Sequence, residues 1–240
     1  SVMAFSQASL SENEKRIAFL FSQLKQKEDA TFKQAIADSL RITVKETLSL
    51  PGAFEYPFTA APMGKITSSD NRIRIYTWNV PYMDGNSDYF GFVQVKQDDK
   101  TIALTELQDK SREVTAPETL SLPASQWFGM LVYDIVLRKS AGLTSYTLLG
   151  FANEDFFVSR KTVDILTIDP QGMLWFGKPV FRVHGKVQSR LIFRYSSKAR
   201  MSLVWNEKQN MIIFDHLSPS KPQYQGNFQY YGPDLSFDAL

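Results

Sequence analysis

Two hydrophobic periods divide this chain. Over the first fifty residues the apolar positions recur at helical spacing. Ile17, Leu20, Phe21 and Leu24 make one stripe, with Lys15, Lys25 and Lys27 on other faces. Ser9 and Glu12 have the spacing of a capping box, in which each side chain satisfies an unpaired amide of the first turn, so a helix is predicted to start there. Asp29 is placed to cap a second helix. Its line of Phe32, Ile36, Leu40, Val44 and Leu48 steps by four and stops at Pro51-Gly52. Residues 1–52 therefore read as a helical hairpin.

From residue 64 onward the period is two. "RIRIYTW" sets Ile73, Ile75 and Thr77 against Arg72, Arg74, Tyr76 and Trp78. "YFGFVQVK", "TIALTEL", "WFGMLVYDIVLR", "SYTLLGF", "SRKTVDILTID", "GKPVFRV", "SRLIFRYS", "RMSLVW" and "MIIFDH" follow. Short turn-forming stretches separate them: Asp84-Gly85-Asn86, Gln97-Asp98-Asp99-Lys100, Ser140-Ala141-Gly142, Asn153-Glu154-Asp155, Asp169-Pro170-Gln171-Gly172 and Asn206-Glu207-Lys208-Gln209-Asn210. None is long enough for a crossover helix, so neighbouring strands must run antiparallel. The expected fold is mainly β, α+β overall. A helical hairpin at 1–52 precedes a large antiparallel β-meander or β-sandwich at 53–240.

The tail, 216–240, lacks both periods. Pro219, Pro222 and Pro233 argue against regular pairing, while Phe228, Tyr230, Tyr231, Leu235 and Phe237 offer much apolar area. The tail is therefore expected to close the β-domain as a strap with buried rings. Asp234 and Asp238 would bond turn amides or pair with arginines.

Composition narrows the function classes. The chain is 43% hydrophobic, enough for a real core, and its formal charge is only +2. With no block of like charge, nucleic acid is not an expected partner. The absence of cysteine excludes disulfides, thiolate zinc sites, iron–sulfur clusters and thiol nucleophiles. No apolar run approaches the about 20 residues that span a bilayer. No signal peptide is visible, and a chain starting at Ser1 rather than Met leaves an upstream segment open.

Few motifs carry chemistry. Gly172 to Lys178 has P-loop spacing, but the intervening residues are large and apolar, and Pro179 stands where a hydroxyl would hold magnesium. The triplets Tyr89-Phe90-Gly91, Trp127-Phe128-Gly129 and Trp175-Phe176-Gly177 suggest either a repeat, as in propeller blades, or three similar packing solutions. Their unequal spacing and unmatched flanks favour packing. No cofactor and no metal site is expected, since neither His184 nor His216 has a metal-ligand spacing. His184 precedes Gly185-Lys186 in an apparent turn. The Gly-x-Ser-x-Gly elbow is absent. Asp134, Asp164 and Asp215 sit within apolar strands, where each could face solvent, pair with arginine or line a cleft. Asp215 and His216 point to opposite strand faces, so His216 needs a partner from elsewhere, such as Asp234 or Asp238. Asp215, His216 and Asp234 are the candidate catalytic residues, with a histidine that merely anchors the tail as the alternative. Tyr76, Trp78, Tyr89, Trp127, Tyr133, Trp175, Tyr195 and Trp205 could form a glycan-stacking platform if exposed, or a bulky core if not.

At "RIYTWNVP", "YTLLGF", "RKTVDIL", "MSLVW" and "FDHLSP…YYGPDLSFDAL" the chain resembles a family of uncharacterised proteins from Bacteroidetes-type bacteria. The likeness runs from about "GAFEYPF" to the C-terminus, with looser agreement over the helices. It implies an exported protein, periplasmic or at the cell surface, and implies no activity or catalytic residue. The leading expectation is a non-enzymatic cell-envelope module that binds a partner protein or a glycan. The alternative is a hydrolase with acids at strand ends. A third reading is a structural subunit that associates through its N-terminal hairpin.

Overall fold

The computed structural model describes residues 2–26, 29–98, 101–140 and 142–240. Lys27, Asp99, Lys100 and Ala141 of the sequence expectations lie outside them. The chain begins with helices α1 (Val2–Gln26) and α2 (Ala30–Leu48). Asp29 caps α2 as expected, accepting a hydrogen bond from the Phe32 amide at 2.7 Å. The capping box is not where the spacing suggested: α1 is already helical at Val2, so Ser9 and Glu12 lie inside it. The preceding run of Met, Ala, Phe and Gln sustains a helix, and buried Leu10 extends the apolar stripe toward the N-terminus. Glu14 is buried in that stripe and accepts from Tyr56 Oη and from the amides of Ala60 and Ala61, which ties α1 to the linker.

The first sheet is a meander of β1 (Gly64–Thr67), β2 (Ile73–Pro81), β3 (Ser87–Lys96) and β4 (Ile102–Gln108). The second contains β5 (Leu122–Pro123), β6 (Leu131–Ser140), β7 (Leu143–Asn153), β8 (Val158–Ile168) and β9 (Leu174–Phe176), in the order β5-β9-β8-β7-β6. Strands β10 (Phe181–Val183) and β11 (Lys186–Gln188) form a small hairpin whose turn is His184-Gly185, both at positive φ. Strand β12 (Leu191–Ser196) returns to the second sheet on the N-terminal half of β8. The third sheet is β13 (Leu203–Asn206), β14 (Met211–Pro219) and β15 (Tyr231–Ala239). All pairings between these strands are antiparallel.

The layers stack as helices, first sheet, second sheet, third sheet. One apolar cluster joins Ile17, Phe21, Leu40 and Val44 of the helices to Tyr76, Trp78 and Phe92. A second joins Ile73, Ile75 and Val93 to Trp127, Leu148 and Phe176. A third joins Leu149, Val163 and Tyr195 to Leu203, Ile212 and Phe214. This layering corrects the reading of "RIRIYTW". Strand β2 is buried on both faces, with Tyr76 and Trp78 under the helices and Ile73 and Ile75 against the second sheet. Arg74 is buried too, donating to the carbonyls of Phe54 and Tyr56 over the Tyr76 ring.

The three triplets occupy unlike places, so they are not repeats. Tyr89-Phe90-Gly91 lies in β3, Trp127-Phe128-Gly129 precedes β6, and Trp175-Phe176-Gly177 ends β9. The P-loop spacing is likewise a strand rather than a phosphate loop.

The tail departs from expectation. Residues 231–233 and 237–239 pair with β14 as an edge strand, with a register shift between the two runs. An edge tolerates Pro233, because an N–H that faces outward has no ladder bond to lose. The rings are not glued down throughout. Tyr231 packs on the third core cluster, but Phe237 is 67% exposed and Leu235 92% exposed. Backbone ladder bonds hold this segment more than its side chains do.

Candidate functional site

The sequence candidates separate into two places. The β14–β15 ladder shifts register between Asp215, paired with Phe237, and Leu217, paired with Pro233, so Asp234, Leu235 and Ser236 bulge opposite His216. A bulge turns neighbouring side chains out of strict alternation. Asp215 Oδ2 accepts from the Ser202 amide at 2.6 Å, and its own amide donates to the Ser202 carbonyl at 3.0 Å. It therefore fixes the loop between β12 and β13. His216 instead meets the tail: Nδ1 lies 2.8 Å from Asp238 Oδ2, and Nε2 lies 3.9 Å from Asp234 Oδ2. Asp234 also accepts from the amide and hydroxyl of Ser236. This triad of His216, Asp234 and Asp238 lies on exposed surface, and it fastens β15 to β14. Among the described residues, no group of His, Cys, Asp and Glu is arranged to hold a metal ion.

The other strand carboxylates are also accounted for. Asp164 is fully buried against Arg190. Asp134 follows the β6 bulge and accepts from the Ile135 amide. Burial pushes its carboxyl above the usual range. The proposed aromatic platform is mostly core: Tyr76, Trp78, Tyr89, Trp127 and Tyr195 are buried, while Tyr133 is 39% exposed.

Tyr133 marks a site that charge patterning did not single out. It is the extra residue of the bulge in β6, between Val132, paired with Gly150, and Asp134, paired with Leu149. Its hydroxyl donates to the Leu203 carbonyl at 2.8 Å, bridging the second and third sheets. The Lys161 ammonium sits 4.9 Å from the centre of the Tyr133 ring. Both residues line a cleft of about 470 Å³, with Asn153, Tyr195, Ser197 and Arg200. Lys161 is the residue of β8 opposite Phe151 and Phe193, facing the third sheet.

Comparison with protein-family models, curated proteins and solved structures finds no match.

The cleft gathers cations and hydroxyls. Lys161 Nζ, the Arg200 guanidinium and the Tyr195 hydroxyl have neither a hydrogen bond nor an ion pair among the described residues, and no carboxylate lines the walls. Burial holds the Lys161 ammonium below its ordinary pKa, opposed by the charge of Asp215. Burial also pushes the Tyr133 and Tyr195 hydroxyls up, so both remain neutral donors. Asp215 is thus adjacent to this site as a support for the loop that walls it. The available signal in sequence was a lysine at the centre of "SRKTVDIL", a run otherwise headed for a buried sheet.

Proposed function

We propose that this protein is a non-enzymatic binding module of the cell envelope, and that its ligand is an acidic glycan held in the Tyr133–Lys161 cleft. The observation that carries this is the set of donors without a hydrogen bond among the described residues, Lys161, Arg200 and Tyr195, gathered with no lining carboxylate. A uronate or sulfate group supplies the oxygen acceptors they lack, and charge-assisted bonds of this kind are the strong ones. The half-exposed ring of Tyr133 offers a stacking surface for the sugar. The envelope location rests on the resemblance noted in the sequence.

The hydrolase alternative draws no support from placement. Asp215 bonds the Ser202 backbone, His216 and Asp234 pair with tail residues, and none of the three lines this cleft.

Calorimetric titration with a panel of uronate-bearing, sulfated and neutral oligosaccharides tests the reading. Saturable binding of an acidic member is expected, weakened about tenfold or more by Lys161→Met. Equal binding of neutral sugars, or no response from any acidic one, would overturn it.

A further inference from the structure

A second cleft shares Tyr133 with the first and is larger, about 620 Å³ against about 470 Å³. That is within the range of small-molecule sites. Its wall is largely apolar, made by Phe21 and Leu24 of α1, Trp78 and Val80 of β2, and Leu131 of β6. Among the described residues, the charged ones lining it are Lys25 and Lys33, both cationic. Lys33 Nζ donates to the Pro81 carbonyl at 2.9 Å, while Lys25 is exposed and has no hydrogen bond or ion pair among the described residues.

Trp78 adds an independent sign. Its ring is 3% exposed and stacks on Phe90 at 5.4 Å, yet its indole Nε1 is buried with no hydrogen-bond partner. Buried donors are normally satisfied, and one left open asks for an acceptor. Trp127 Nε1, Arg74 Nε, Arg160 Nε and Thr162 Oγ1 are also without partners, but none of those residues lines this crevice.

We propose that this crevice binds a single-chain amphipathic carboxylate of the fatty-acid type. The alkyl chain lies along Phe21, Leu24, Trp78 and Leu131, and the carboxylate faces Lys25 and Lys33. An apolar wall with two lysines at its described rim matches that ligand and disfavours both a neutral alkane and a sugar.

The test is titration of the whole chain with dodecanoate and with dodecanol below their aggregation thresholds, read by the indole N–H resonances. The Trp78 signal is assigned from Trp78→Phe. Saturable binding of dodecanoate that moves the Trp78 resonance is expected. The double variant Lys25→Gln, Lys33→Gln should weaken it about tenfold, with dodecanol unaffected. Lys25 is exposed, whereas Lys33 also bonds the Pro81 carbonyl, so Lys25→Gln alone and a melt of the double variant separate lost binding from a lost tether. Lys161→Met should leave dodecanoate binding unchanged, which separates this site from the acidic-glycan cleft. Equal affinity for dodecanol, binding that leaves the Trp78 signal in place, or association only with anionic phospholipid vesicles would each overturn the proposal.

Discussion

The carboxylate of Asp164 lies 3.0 Å from the guanidinium of Arg190, and neither side chain has any exposed surface. Arg190 also donates to the carbonyls of Pro117 and Phe176, and Asp164 accepts from the Ile165 amide at 2.8 Å. Burial pushes the Asp164 carboxyl up, opposed by Arg190 and by neighbouring amides. The pair joins β8, β9, β12 and the segment before β5 at one point. Removing one partner leaves the other charge buried alone. Asp164→Asn and Arg190→Gln should therefore each destabilise by about 3–5 kcal/mol. The double change should cost less than the sum, as measured by urea denaturation.

Gly177 lies against the same arginine. Its φ is +91°, and a Cβ there would come 2.5 Å from the Leu120 carbonyl oxygen and 2.8 Å from Arg190 Nη2. Both the backbone region and the space forbid a side chain. Gly177→Ala should lower stability by more than about 1 kcal/mol, whereas Gly185→Ala in the open β10–β11 turn should cost less. Thermal melts of the two variants compare them directly.

Lys161 sets stability against binding. Its ammonium is partly buried and its pKa is lowered, so the charged form is disfavoured in the fold. That penalty is present below the folded pKa and is relieved as pH rises from there toward the ordinary value near 10.4. Lys161→Met should leave stability unchanged or raised by no more than about 1 kcal/mol, read from the melting temperature, while acidic-ligand binding is lost. A large drop in melting temperature would show that Lys161 is structural.

His216 makes the tail contact sensitive to pH. The hydrogen bond it donates to Asp238 raises its pKa, opposed by slight burial and aided by the charge of Asp234. With a folded value above the ordinary one near 6.5, the contribution is complete below that pH. It fades as pH rises through the folded value. Both partners are half exposed, so the effect should stay below about 1 kcal/mol. An NMR titration should place His216 above its ordinary value, with Asp238→Asn bringing it back. After correction for intrinsic exchange, protection of the β15 amides should decline across the same window.

Much of the architecture was legible because period and turn chemistry are local. Asp29 before the step-of-four line gave α2, and Asp84-Gly85-Asn86 gave the β2–β3 turn, where Gly85 takes φ +84°. What escaped is non-local. Tyr76 and Trp78 pattern as an outward strand face, yet the helical hairpin covers them, and no window of β2 contains that information. The β15 pairing escaped because Pro233 weighs against a strand unless its position at an edge is known. His216 meeting Asp234 or Asp238 was foreseeable from the returning tail. The cleft was not. Lys161, Tyr195 and Arg200 converge only when β12 pairs with β8, and Tyr133 joins them only through a one-residue bulge.

The stack of layers has a mechanical consequence. A chain of this size usually wraps a single thick interior, but here three thin seams lie in series, and the first and second sheets each belong to two of them. Prising off β13–β15 would breach one seam and leave the others shut. Opening should therefore peel inward from the outermost plies, with the β7–β8 ribbon yielding last.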